Sequence, residues 1–553
     1  MKRLRAITML TLVLGLTLGS GEQEGGQAHD HHDMAVEGPV ALFDNLGNHH
    51  HPISTSSEEA QRYFDQGLIF TYGFNHAEAV RSFREAARHD PDCAMCYWGV
   101  ALALGPNINA PMFDEAVPEA YEALQKALEL APGASGVEQA YIEALSTRYV
   151  AEPVADRSHL DRAYADAMRE LSRRYPDDLD AATLFAESLM DLIPWNYWTE
   201  SGEPKPETAE FIPVLESVLE RDPYHPAANH YYVHAVEASL APERAEAAAD
   251  RLTEMAIGIG HMIHMPAHLY ARVGRWHDAS VANELAIAAD EAYIEAYNAQ
   301  GFYPALYYPH NIHFLWFASS MEGRSQVALE AARNLVAAVP RELIQAIPDL
   351  QAFLPVPLFA LVQFERWDEI LAEPAPPGEF LYEEAMWHYA RGRAFAAQGQ
   401  LDEAAQEAAA LNRLATSDEG QALAMPYGPS LLTLADTILA AELAGLRGED
   451  DEMIRLLETA VEMQDALPYF EPPYWYYSVR HTLGAALLKL NRPAEAEAVY
   501  REDLARNRGN GWALFGLAES LRAQGKIEEA AEVERRFAEA WEHADMTLTS
   551  SSY

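Results

Sequence analysis

The chain reads as an all-α protein built from stacked helix hairpins. Three observations lead there. From about Ser57 onward apolar residues recur at helical spacing, as in Ala60-Gln-Arg-Tyr-Phe-Asp-Gln-Gly-Leu. Turn-and-alanine segments then repeat down the chain, beginning with Gly73-Phe-Asn-His-Ala-Glu-Ala-Val and closing at His89-Asp90-Pro91. Finally, two histidine pairs stand one fixed step apart: His230 to His264 and His234 to His268 are both separated by 34 residues, a period typical of stacked helical units.

Taken in order, Met1–Ser20 has a basic start at Lys2, Arg3 and Arg5, an apolar run from Ala6 to Leu18, and small residues after it. That pattern predicts a signal peptide, since the run is too short to span a bilayer. Export follows, to the periplasm or the extracellular space. Residues 21–56 are polar and Gly-rich, with His29, His31, His32 and the tract His49-His50-His51, and are expected to be a flexible linker able to hold metal loosely. The helical array is expected over 57–545, followed by a short tail at 546–553. No later segment offers 18 uninterrupted apolar residues, so no membrane span is expected.

The turn motifs recur at Gly274-Arg-Trp-His-Asp-Ala, Arg366-Trp-Asp-Glu, Gly399-Gln-Leu-Asp-Glu-Ala, Asn491-Arg-Pro-Ala-Glu-Ala and Gly525-Lys-Ile-Glu-Glu-Ala, with Asp90-Pro91 and Asp222-Pro223 closing units. On these motifs the chain resembles the tetratricopeptide repeat (TPR) superfamily. The resemblance implies a TPR-type α-solenoid, a right-handed superhelix of nine or ten hairpins whose first helices line a concave groove. One hairpin cannot bury its apolar face alone, so stacking supplies the core. Two interruptions, 193–211 with Trp195, Tyr197 and Trp198, and 289–309 with five tyrosines, flank the histidine repeats. The chain also resembles exported bacterial TPR proteins of unassigned function, through His50–Ser56, Asp92-Cys-Ala-Met-Cys-Tyr-Trp-Gly and the histidine segments.

Composition narrows the partners. Against 39 basic residues stand 85 acidic ones, a net charge of −46 with only five lysines. Such a surface repels nucleic acid and anionic membranes. Cys93 and Cys96 are the only cysteines. Their spacing fits a local disulfide, a redox dithiol or half a zinc site, and haem attachment is excluded because Tyr97, not His, follows. No G-x-S-x-G, Walker A loop, Rossmann fingerprint or EF-hand is present.

The chemistry lies in three segments: His230-x3-His234, His261-x2-His264-x3-His268 and His310-x2-His313. Residues three or four apart share a helix face. Counted from the turn glycines, His264 and His313 occupy one repeat position, His230 joins them by the 34-residue step, His261 matches His310, and His234 matches His268. Glu237 lies one turn beyond His234, and Glu187 takes the slot equivalent to His234 one repeat earlier. The expected site is a band of imidazoles across the groove, edged by those carboxylates and holding one or two transition-metal ions. Imidazole without thiolate suits copper or zinc first, then iron. The residues after His230 and His264 are Tyr231 and Met265, so the HExxH pattern of zinc proteases is absent, and whether catalysis occurs is left open. The competing expectation is an interaction scaffold, with a peptide or protein in the groove or end-to-end self-assembly.

Overall fold

The computed structural model describes residues 40–552. The expected signal peptide and the linker up to residue 39 lie outside the described residues. The all-α expectation is met: helices follow one another from Glu58 to Ala540, and no β-strand forms among the described residues. The chain divides into two compact units, one comprising residues up to 269 with 285–308, the other 270–284 with 309–553.

In both units successive helices pair as the TPR resemblance implies. In the first, Glu58–Tyr72 packs on His76–His89, which packs on Ala94–Ala103, and Leu179–Met190 packs on Pro206–Arg221 and this in turn on Pro226–Val236. In the second, Leu381–Ala397 pairs with Leu401–Thr416, and Pro493–Arg506 lies against Gly511–Ala523, itself followed by Ile527–Ala540. Local chemistry sets the starts. Ser57, Asn75 and Asp178 each accept a hydrogen bond from a backbone N–H in the first turn of the helix that follows, the usual means of satisfying orphan helix donors.

The same packing device holds a hairpin pair in each unit. The Phe83 ring wedges against Gly67 and Gly99, where an added Cβ would come within 2.8 and 2.4 Å of it; Tyr500 does the same against Gly484 and Gly516, at 2.3 and 2.2 Å. In each case the aromatic stands midway in sequence between two glycines that are 32 residues apart. Helices separated by one repeat therefore close on a single flat ring, and any larger residue at the glycine would push them apart.

Several segments differ from their expected character. Residues 40–56, placed by sequence in a linker, are non-helical but hydrogen-bonded to the helices: Gly258 N donates to the Asn45 carbonyl, Phe43 N to Gln66 Oε1, and Ser54 N to Glu138 Oε1. The 289–309 interruption is largely helical. The helix Trp276–Tyr297 runs into it, and a π-helical turn, Tyr303–Tyr307, follows. The tail packs too, with the Ser551 hydroxyl 2.5 Å from that of Tyr500. Cys93 and Cys96 are joined as a disulfide. One helix, Gly428–Leu446, is long and apolar enough to cross a membrane by length and composition; half of it is buried, against neighbours that include Asp450–Asp465.

The glycine wedge yields a direct prediction. Gly99→Ala should lower stability by about 1–3 kcal/mol, the usual penalty for overfilling a packed core. Urea unfolding followed by circular dichroism checks this, and an unchanged midpoint would contradict the wedge.

Candidate metal centre

The helix Pro226–Val236 carries His230 and His234, and Gly260–Val273 carries His261, His264 and His268. Inside the first unit these two segments bring their histidines together. None of the five, nor Glu237, is more than 3% exposed. The resemblance placed them on an open groove; here they are enclosed. The closure comes from the first hairpin, because Glu58–Tyr72 packs on Pro226–Val236 as well as on its own partner. Gly73 allows that approach, since a Cβ there would meet Ile259 Cδ1 at 2.9 Å.

Hydrogen bonds on one side of each ring determine what the other side offers. His230 Nδ1 lies 2.7 Å from the Tyr72 carbonyl oxygen. A carbonyl only accepts, so Nδ1 carries the proton and Nε2 of the neutral ring keeps its lone pair. His234 Nδ1 is 3.3 Å from Glu237 Oε1, and His268 Nδ1 is 2.6 Å from Glu237 Oε2. The first is a hydrogen bond that leaves His234 Nε2 as an acceptor; the second is a close contact that fixes no tautomer of His268. This is the arrangement by which carbonyls and carboxylates orient metal-bound histidines.

The Nε2 atoms converge. His230 Nε2 is 3.1 Å from His261 Nε2, and His264 Nε2 is 2.7 Å from His268 Nε2. The ligand atoms of His230, His234 and His261 all lie within 4.8 Å of one another. A tetrahedral ion bonded at about 2.0–2.1 Å holds neighbouring nitrogens roughly 3.3 Å apart, so one ion would draw these three nitrogens together from separations of up to 4.8 Å. His234 Nε2 and His261 Nδ1 are buried with no hydrogen-bond partner among the described residues. Leaving such an atom unsatisfied costs about 1–3 kcal/mol, and a metal bond to His234 Nε2 removes one of these penalties.

Electrostatics point the same way. Burial pushes the pKa of His230 well below the ordinary imidazole value, with repulsion from His234 adding to it and the Tyr72 carbonyl opposing. Burial, then His268, lowers His234 strongly, and burial followed by its neighbouring histidines lowers His261. All three rings are neutral at pH 7, which is the metal-binding form.

Aromatic rings dry the site. The Phe74 ring lies 4.7 Å from that of His230 and 5.3 Å from His261, Trp195 meets His234 edge-on at 5.2 Å, and Tyr307 sits 4.7 Å from His261. Phe74 and Trp195 hold φ of 59° and 61°, a left-handed conformation unfavourable for bulky residues. Trp195 is fixed by its indole N–H to Asn109 Oδ1 at 3.0 Å, and the nearby Trp198 donates to the Ala235 carbonyl. Behind His261, its backbone N–H donates to the Tyr303 hydroxyl, which donates to Asp290 Oδ1 at 3.0 Å. Gly260 makes room for that carboxylate, which a Cβ would strike at 2.0 Å.

Of the remaining expected site residues, Glu187 and His313 are placed elsewhere. Glu187 is buried beside Asp191, where burial and that neighbour raise its pKa well above the usual range, and not against the imidazoles. His310 and His313 belong to the second unit. There His313 stacks on Trp316 at 5.2 Å and meets Phe353 at 5.0 Å, and burial lowers its pKa to about 3. The 34-residue register also pairs differently from expectation: His230 faces His261, not His264. Tyr72, Phe74, Asn109 and Asp290 were not singled out from sequence. The Gly73-Phe74 turn was the one signal within reach.

A second histidine group surrounds Asp180 in the first unit. Its Oδ1 lies 3.0 Å from His49 Nε2 and 3.3 Å from His225 Nε2, and its Oδ2 lies 2.8 Å from His51 Nδ1. Burial alone would raise this carboxyl, but the imidazoles of His225, His49 and His51 outweigh it and hold the pKa well below the usual range.

No protein-family model and no curated protein sequence matches the chain. Among solved structures it is similar to the human IFIT1 dimer with PPP-AAAA (11% identity, 86% of this chain and 88% of that one, TM-score 0.28). It is also similar to yeast Tom70 (13% identity, 87% and 92%, TM-score 0.27) and to Cut9 in an APC/C hetero-tetramer with Hcn1 (11% identity, 89% and 76%, TM-score 0.27). At TM-scores this low the fold reading rests on the helix pairing and the glycine–aromatic wedges.

Proposed function

We propose that the chain is an exported helical-repeat protein that binds a transition-metal ion through His230, His234 and His261. Glu237 orients His234 and ties it to His268. The observation that carries this reading is the common direction of the lone pairs. Tyr72 and Glu237 occupy the Nδ1 side of the rings, so their Nε2 atoms face a dry centre where no protein group satisfies that of His234. Three imidazoles without thiolate suit copper or zinc. Enclosure by Phe74, Trp195 and Tyr307 favours retention of the ion. The Cys93–Cys96 disulfide agrees with the oxidising compartment that the N-terminal sequence predicts.

Protein purified without an affinity tag and stripped of metal should take up copper or zinc. The variant His230→Ala/His234→Ala/His261→Ala should lose one equivalent of it. At a free ion concentration 100 times Kd, the parent should gain about 2.7 kcal/mol of stability. Uptake unaffected by the triple substitution would overturn the site. Glu237→Gln keeps one acceptor oxygen and turns the other into a donor that opposes an imidazole N–H, so affinity should fall roughly 10–100-fold, measurable by chelator competition.

Acid should destabilise the metal-free protein through the same rings. Unfolded histidines titrate near ~6.5, and the folded pKa values of His230, His234 and His261 lie well below that. As pH falls below the unfolded value, the unfolded chain binds protons that the folded rings refuse. Stability then drops by up to about 1.4 kcal/mol per pH unit per ring; above that pH the contribution is constant. Urea midpoints between pH 7.5 and 5 should slope more steeply for the parent than for the triple variant, and equal slopes would contradict the buried neutral assignment.

A further inference from the structure

Beside Asp180 the first unit has a cavity of about 720 Å³, walled by residues 46–50, by the turn before helix Pro226–Val236 and by the end of helix Glu246–Met255. That size suits a small organic ligand. His225, 1% exposed, sets part of its polarity. The Nδ1 of this ring accepts the Ala228 backbone N–H at 3.2 Å as the cap of the helix. A backbone N–H only donates, so the ring proton sits on Nε2. That N–H is buried and makes no hydrogen bond among the described residues. Asp180 Oδ1 lies 3.3 Å away, but it already receives the Tyr72 hydroxyl at 2.5 Å and the ring of His49 at 3.0 Å, which occupy its two lone pairs. A buried donor left unpaired is costly, so the cavity favours a ligand that brings an acceptor.

Acceptors supply most of the remaining polarity. Asp222 Oδ1 takes the Tyr224 backbone N–H at 3.1 Å, and Glu254 Oε2 takes the Tyr224 hydroxyl at 2.8 Å; each carboxylate keeps a second oxygen able to accept. No Lys or Arg lines the cavity, so it disfavours phosphate and carboxylate ligands. Among the described residues neither Asp222 nor Glu254 belongs to a group of three ligand atoms close enough to share one ion. These carboxylates are therefore spaced for separate groups on a larger molecule. Ile69 and Ile257 add apolar contact, and Tyr224 adds an aromatic side chain that is 53% exposed. A hydroxyl suits an unpaired N–H and a carboxylate alike, because it accepts from the first and donates to the second. Several hydroxyls on one ring with an apolar C–H face make a sugar.

We propose that this cavity binds a neutral mono- or disaccharide. One hydroxyl accepts from His225 Nε2–H, others donate to Asp222 and Glu254, and the C–H face of the ring lies against Tyr224. The site does not rest on the proposal for His230, His234 and His261, since none of its residues belongs to that centre.

Calorimetric titration of the untagged, metal-stripped full chain with glucose, N-acetylglucosamine, maltose and cellobiose at millimolar concentration tests it. At least one of these sugars should bind, at one molecule per chain. His225→Ser keeps an oxygen that caps the helix and removes the Nε2–H, so affinity should fall roughly tenfold. Asp222→Ala/Glu254→Ala should abolish binding. No binding of any of the four sugars would overturn the proposal, and so would binding that survives both variants unchanged. Uptake of the diamine putrescine in place of the sugars would also overturn it, because the carboxylates would then serve a cation. Should His225→Ser fail to fold by circular dichroism, the Asp222→Ala/Glu254→Ala variant decides.

Discussion

Everything at the candidate centre depends on which ring nitrogen carries the proton. The Tyr72 carbonyl takes the Nδ1–H of His230 and Glu237 Oε1 takes that of His234. Without them the rings could rotate or exchange tautomers, and the cluster would be an ordinary buried polar network. With them, lone pairs accumulate in a volume from which water is excluded. Neutral imidazoles so arranged gain little from one another, because each nitrogen pair shares one proton at most. Under the proposed reading, an ion that accepts several lone pairs at once would resolve the arrangement.

The fold supplies this at a measurable local expense. Phe74 and Trp195 occupy left-handed backbone conformations, each costing on the order of 1–3 kcal/mol for a non-glycine residue. Both place a ring against His234 or its neighbours. Such outliers persist where surrounding contacts over-determine them, and here the contacts are identifiable: the Trp195–Asn109 bond on one side and the close approach of Gly73 to Ile259 on the other. The π-helical turn Tyr303–Tyr307 plays the same part for His261. Packing that joins distant parts of the first unit is thereby spent on enclosing the histidines.

The sequence made the helical class, the motif recurrence and the identity of the central histidines legible, because apolar periodicity and His spacing are local properties. It also gave Glu237, one turn from His234. Partners set by tertiary contact were not legible. The pairing of His230 with His261 depends on how two helices approach, which a 34-residue register does not specify. Glu187 occupies the right repeat slot, yet the Arg148, Asp161 and Asp191 charges beside it make a different network. His313 shares a repeat position with His264, but Trp316 and Phe353 flank it. The docking of His49–His51 was hidden for another reason. A polar tract rich in glycine and histidine has the composition of a linker, and only the position of Asp180 reveals that it packs against the helices.

The measurement that bears most directly on the central claim is anomalous scattering from a crystal of the metal-loaded protein. The structure predicts a peak bonded at about 2.0–2.1 Å by Nε2 of His230 and His234 together with His261, with Nδ1 of His230 still on the Tyr72 carbonyl and Nδ1 of His234 still on Glu237. A peak bonded through those Nδ1 atoms, or no peak within reach of the three rings, would contradict it.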